Sequence, residues 1–123
     1  QRLKIIIHNL LHNAVKYSDF NKPRSKVVVD AAKVGKWHII TVGDNGIGIE
    51  PEYMERIFDM FFRATEQSTG SGLGLYIVRE AVLALDGKIE LESVPGGGTK
   101  FTVYLPVIKE INQAETVAKH QNK

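Results

Sequence analysis

There is no cysteine anywhere in the 123 residues, which removes a disulfide framework, a thiolate metal site and a cysteine nucleophile together. That lack fits a reducing compartment. No excess of one charge stands out either: 16 basic side chains are interspersed with 14 acidic ones. Without a dense basic run or a basic-aromatic stripe, nucleic acid is not an expected partner. No apolar run approaches the ~20 residues of a membrane span, and no signal-peptide pattern opens the chain, so direct membrane contact is not expected. What is present is an ordinary globular composition, 43% hydrophobic and 24% charged. A chain of this length hides roughly two-thirds of its unfolded surface, enough for a core without staples. It begins inside a helical pattern, as a domain cut from something longer would.

Residues 1–18 have the period of an amphipathic helix. At about 100° per residue, Leu3, Ile7, Leu10, Leu11 and Ala14 share one face, with Ile6 and Val15 flanking it. Opposite them Asn9, Asn13, Lys16 and Tyr17 make a narrow polar stripe. After a loop, residues 26–33 and 37–43 are rich in β-branched side chains and predict a hairpin around Val34-Gly35-Lys36. Pro51 suits the start of a short helix reaching about Ile57. Residues 58–72 are a long polar stretch containing glycine. Residues 73–86 predict a second helix, apolar at Ile77, Val78, Ala81, Val82 and Leu85 and stopped by Gly87.

The clearest strands come last. Ile89 and Leu91 alternate with charged residues, as do Phe101, Val103 and Leu105 with polar ones, around the turn Pro95-Gly96-Gly97-Gly98. Such alternation means a sheet with one wet face, so the helices must cover the other. The fold class is therefore α+β, a two-layer α/β sandwich. Residues 1–106 form one domain, and 107–123 a tail or linker.

Four constellations carry chemistry. On the first helix, Asn9 and Asn13 stand one turn apart and Lys16 and Tyr17 continue the row. Amide oxygens are acceptable Mg²⁺ ligands, lysine neutralises phosphate, and tyrosine offers a flat face to a base; the plain alternative is a solvated helix face. Second, Asp44-Asn45-Gly46-Ile47-Gly48-Ile49 follows a strand, where a carboxylate can accept from an adenine amino group and two glycines let backbone pass close to a base. A hairpin turn is the rival reading, opposed by the Glu50-Pro51 that follows. Third, Gly70-Ser71-Gly72-Leu73-Gly74-Leu75 leads into a helix, exposing backbone N–H groups to phosphate. It fits neither the dinucleotide nor the Walker spacing. Fourth, Ile57-Phe58-Asp59-Met60-Phe61-Phe62-Arg63 opens the polar stretch as aromatic anchors of a lid would, with Arg63 able to meet phosphate. Core packing is the alternative for those phenylalanines.

In chain order the four resemble the N, G1, F and G2 boxes of histidine kinase catalytic domains. The stretch from Asn9 to Ser18 is similar to the N box almost residue for residue, and the likeness runs through Glu92-Ser93 and Gly97-Gly98-Thr99-Lys100-Phe101 to Pro106. Asp59 and Met60 match less well. The resemblance implies the Bergerat-type ATP fold, a mixed, largely antiparallel sheet with helices on one face and a flexible ATP lid. It is a fold shared with type II topoisomerases, mismatch-repair ATPases and heat-shock chaperones.

By position, the resemblance implies that Asp44 holds adenine, with Gly46, Gly48, Ile49, Phe58 and Thr99 around it and Tyr17 packed on the base. Asn9 and Asn13 hold Mg²⁺, Lys16 and Arg63 meet phosphate, and Gly70, Ser71, Gly72, Leu73, Gly74 and Leu75 line it. Hydrolysing relatives place a glutamate where this chain has Asn9, and an amide takes no proton from water. The kinase reading is thus favoured over an ATPase, and the complete set of Asp44, Asn13 and three lid glycines favours it over a docking module without activity. The implied partners are a histidine-containing dimerisation domain and a downstream receiver domain. His8, His12, His38 and His120 lack the acceptor's context, and this part is expected to be a cytoplasmic monomer whose parent is often anchored in the inner membrane. The family also has a strand and an acidic residue just before Arg2-Leu3, so a sheet lacking one edge strand is expected here.

Overall fold

The computed structural model describes residues 1–62 and 72–107. Its elements are α1 (Arg2–Lys16), β1 (Val27–Val34), β2 (Trp37–Asp44), a 3₁₀ turn (Pro51–Tyr53), α2 (Gly74–Ala84), β3 (Lys88–Val94) and β4 (Gly98–Pro106). The strands form one sheet in the order β1-β2-β4-β3. Every pairing among the described residues is antiparallel, where a mixed sheet was implied. Both helices lie on one face, as the alternation of β3 and β4 requires.

Register decides which side chains share that face. Ile40 pairs with Val103, and Val42 with Phe101; Ile89 and Leu91 continue the same two rows on β3. These meet Ile6 and Leu10 of α1 and Val78, Ala81 and Val82 of α2 in a single core. At about 25 cal/mol per Å², burying such side chains is the main term holding the layers together.

The helix faces differ in detail from the periodicity. On α1 the buried residues are Ile6, Leu10 and Ala14, while Leu3 and Val15 are exposed. Val15 stands roughly 140° around the helix from Leu10, which points it away from the sheet. Ile77 of α2, also expected in the core, is 38% exposed. The expected helix from Pro51 to Ile57 is only one 3₁₀ turn, continued by turns whose N–H groups at Arg56, Asp59 and Phe62 each bond three residues back. That tighter path drops Ile57 into the core.

Two further features position the ends. Helix α2 closes with Asp86 in the left-handed region at φ 60°, while Asp86 N–H bonds Leu83 C=O and Gly87 N–H bonds Val82 C=O. Strand β1 is a sheet edge among the described residues, and all eight of its residues are exposed. No helix among the described residues is long and apolar enough to cross a membrane.

Candidate functional site

One end of the sheet carries a polar row. Asp44 pairs with Thr99 across β2 and β4, and Thr99 with Ser93 across β4 and β3. All three point to the helix-covered face, immediately below the row of Val42, Phe101 and Leu91. Ser93 Oγ donates to Gly98 C=O at 2.9 Å, accepts Ile49 N–H at 2.8 Å and shares a hydrogen bond of 2.9 Å with Thr99 Oγ1. Thr99 itself is only 8% exposed.

Asp44 is held through one oxygen. Its Oδ1 accepts Gly46 N–H at 2.8 Å and Thr99 N–H at 3.3 Å. No donor among the described residues reaches Oδ2. Burial pushes the carboxyl above its ordinary value, against the lowering effect of the two N–H groups and of the Lys22 charge.

The loop after Asp44 is locked to three neighbouring segments. Ile47 N–H bonds Tyr17 C=O at 3.0 Å, Gly96 N–H bonds Ile47 C=O at 2.8 Å, and the Asn45 amide bridges Lys26 N–H and Arg24 C=O. Those crossings explain the glycines. A Cβ at Gly46 would collide with the Tyr17 carbonyl, and one at Gly48, where φ is +76°, with the Val94 carbonyl. The sequence suggested close passage to a base; the close passage seen is to the protein's own backbone.

The second part of the site lies between the helices. A cavity of about 210 Å³ is lined by Asn9, His12, Asn13, Lys16 and Tyr17 of α1 and its C-terminus, by Ile57 and Phe62, and by Gly72, Gly74 and Leu75 at the start of α2. The Asn9 amide N–H donates to Ile5 C=O at 2.8 Å, so its oxygen is the atom left facing Gly74. A Cβ at Gly74 would stand 3.4 Å from that oxygen, in van der Waals contact with it. Lys16 Nζ lies 5.2 Å from the Tyr17 ring centre. Tyr17 joins the two parts: its carbonyl holds the loop after Asp44 and its residue lines the cavity. A larger cleft of about 500 Å³ lies at the same strand ends but toward the sheet's other face, where Val28, Gly43, Glu92 and Lys100 alternate with the inward Asp44, Ser93 and Thr99.

Of the residues anticipated from sequence, Asn9, Asn13, Lys16, Tyr17, Gly72, Gly74 and Leu75 line the one cavity, and Asp44 and Thr99 the other. Leu73 caps the start of α2. Ile49 packs against the core and reaches the polar row only through its N–H. The Phe58 ring packs edge-on to Phe101 at 6.2 Å, so it is a core contact and lines neither cavity. Arg63, Gly70 and Ser71 lie outside the described residues. Sequence reasoning missed His12, Ser93 and Lys22 as site residues. Ser93 had a readable signal, a hydroxyl on the inward beat of Ile89 and Leu91, and so had His12, three residues after Asn9 and four before Lys16; Lys22 had none.

Residues 1–109 match the family described as histidine kinase-, DNA gyrase B-, and HSP90-like ATPase. The sensor-like histidine kinase SenX3 of Mycobacterium tuberculosis is 44% identical over 107 residues, covering 83% of this chain and 25% of that protein. Among solved structures, the mycobacterial sensor histidine kinase MprB superposes with a TM-score of 0.75 at 30% identity, covering 85% of this chain and 72% of that one. Full-length ShkA in complex with AMPPNP gives 0.72 at 32% identity, covering 85% and 21%. The chain spans only 12 to 25% of the length of the curated relatives first matched. The chain belongs to the histidine kinase-, DNA gyrase B- and HSP90-like ATPase family, in the form carried by sensor histidine kinases.

Proposed function

We propose that the chain is the ATP-binding catalytic part of a two-component sensor histidine kinase, holding Mg-ATP while its γ-phosphoryl group passes to a histidine on a separate helical dimerisation domain. The observation that carries the reading is the pairing of a half-buried carboxylate with an open oxygen, Asp44, and a row of two amides and a lysine on α1, joined through Tyr17. In that arrangement Asp44 Oδ2 accepts from the adenine amino group. Tyr17 packs beside the base, and Thr99 supports the carboxylate from beneath.

The phosphates then extend toward the start of α2, where backbone N–H groups and the helix dipole favour anions. Lys16 adds positive charge there, and Arg63, Gly70 and Ser71 belong to the same phosphate-binding set by their place in the sequence. Asn9 and Asn13 supply hard amide oxygens of the kind Mg²⁺ accepts beside phosphate and water. Mg²⁺ when bound screens the phosphate charge. Phosphoryl transfer asks mainly for positioning and charge neutralisation, which this set provides. It holds no base for water at Asn9, so hydrolysis is slow and the phosphoryl group waits for its imidazole acceptor. A receiver domain downstream, a cytoplasmic location and a monomeric state for this piece follow from the same reading.

Calorimetric titration of Mg-ATP tests it. Micromolar-range binding that Asp44→Asn removes supports the reading. A folded chain that binds no nucleotide is a docking module, and rapid turnover by the chain alone makes it an ATPase.

A further inference from the structure

The loop between α1 and β1 holds a charge that the nucleotide reading leaves unused. Lys22 lies there half-buried, and no carboxylate among the described residues forms an ion pair with it. Its ammonium donates instead to the carbonyls of Asn45 at 2.7 Å, Gly96 at 2.7 Å and, more weakly, Gly46 at 3.4 Å. Three donors thus meet three acceptors. The acceptors come from two segments some fifty residues apart in sequence: the loop directly after Asp44, and the turn directly before Gly98 and Thr99. Carbonyls repel one another, so gathering three around one point needs a cation or donors between them.

Those same two segments define the setting of the Asp44 carboxylate. Gly46 N–H reaches it from the first and Thr99 N–H from the far end of the second. We propose that Lys22 is a positioning residue for nucleotide binding: its ammonium ties the backbone at Asn45 and Gly46 to Gly96 and thereby fixes Asp44 in the pose that receives the base. The inference rests on the reading of Asp44 as the adenine acceptor. The Lys22 charge also favours the carboxylate anion against the burial that opposes it.

The absence of cysteine makes a direct test possible. Lys22→Cys introduces a single thiol, and alkylation with 2-bromoethylamine rebuilds an ammonium on a side chain of lysine length. ATP with Mg²⁺, ADP and AMP are titrated into the parent chain, Lys22→Met, Lys22→Cys and aminoethylated Lys22→Cys. Amide hydrogen exchange at Gly46 and Gly96 is followed in each without nucleotide.

Both uncharged variants are expected to weaken all three nucleotides by a common factor of about ten, the scale of a lost charge-assisted hydrogen bond, and to exchange faster at both amides. Aminoethylation restores affinity and protection together. Alkylating the denatured chain before refolding keeps the rescue readable even where the unmodified variant does not fold. Parent-like binding and exchange in Lys22→Met overturn the clamp, and so does a loss that aminoethylation leaves in place. Should the folded parent bind no nucleotide, the nucleotide reading fails by itself. The two amides still decide the clamp in that case: protection lost in Lys22→Met and regained on aminoethylation supports it, and unchanged protection overturns it.

Discussion

The two halves of the site are built in opposite ways. Around Asp44 nearly every polar atom already has a partner within the protein: Ser93, Asn45 and Lys22 bond backbone, Thr99 bonds Ser93 Oγ and the Asp44 carboxylate, and Gly46 and Gly48 leave no slack. Between the helices the picture reverses. Of the α1 side chains there, Asn9 bonds its own helix through its N–H and leaves its oxygen outward, and Lys16 lies against a ring. On the proposed reading, the base end is finished before a ligand arrives, whereas the phosphate end is completed by ligand and metal. A rigid acceptor costs little ordering when a base docks.

The largest expected effect breaks the finished half. Gly48→Ala forces a side chain into left-handed backbone against the Val94 carbonyl and should cost about 2–4 kcal/mol of stability. Denaturant titration of the nucleotide-free chain checks it, and a shift within about 0.5 kcal/mol contradicts the interlocked loop.

Asp44→Asn separates binding from folding. Affinity for ATP should fall by about 2–3 kcal/mol, as for a lost hydrogen bond to a charged group. Stability should not fall with it. Because the folded pKa of Asp44 is raised, the native state binds the proton more tightly than the unfolded chain. Wild-type stability therefore drops as pH rises from the ordinary carboxylate value through the raised one, and the asparagine variant lacks that drop. Thermal midpoints of the two proteins across this acid range give the comparison, with the variant gaining on wild type as pH rises.

On the open half, Asn13→Ala should weaken ATP by about 1–2 kcal/mol only when Mg²⁺ is present, with folding changed by less than about 0.5 kcal/mol. Titrations with and without the metal check this, and an equal loss in both argues against a metal role. Smallest is Ser93→Ala, about 1 kcal/mol of stability from a half-buried hydroxyl bonded on both sides. Equilibrium unfolding would register it, and no change would mean that Thr99 and the backbone compensate.

What the sequence disclosed follows the same division. Helices, strands and the two-layer plan were readable because periods of 3.6 and 2 mark one apolar face each. The α1 row was readable because helical spacing alone brings Asn9, Asn13 and Lys16 together. Asp44 was readable as a carboxylate at a strand end. The lock around it was not, since it depends on which loop crosses which turn. Lys22 reaches Gly96 across 74 positions, and no local pattern encodes that distance. The reason for Gly46 and Gly48 was hidden likewise, as was the rotation that buries Ile6 and exposes Val15. Phe58 was ambiguous in sequence, because an aromatic serves core and lid equally well until a neighbour such as Phe101 is known.

Titration of adenosine, a ligand with a base and no phosphates, tests the two-part account most directly. Weak binding is expected, indifferent to Mg²⁺, abolished in Asp44→Asn and unchanged in Asn13→Ala. Equal losses in the two variants, or adenosine binding that needs the metal, would contradict a finished base end and an open phosphate end.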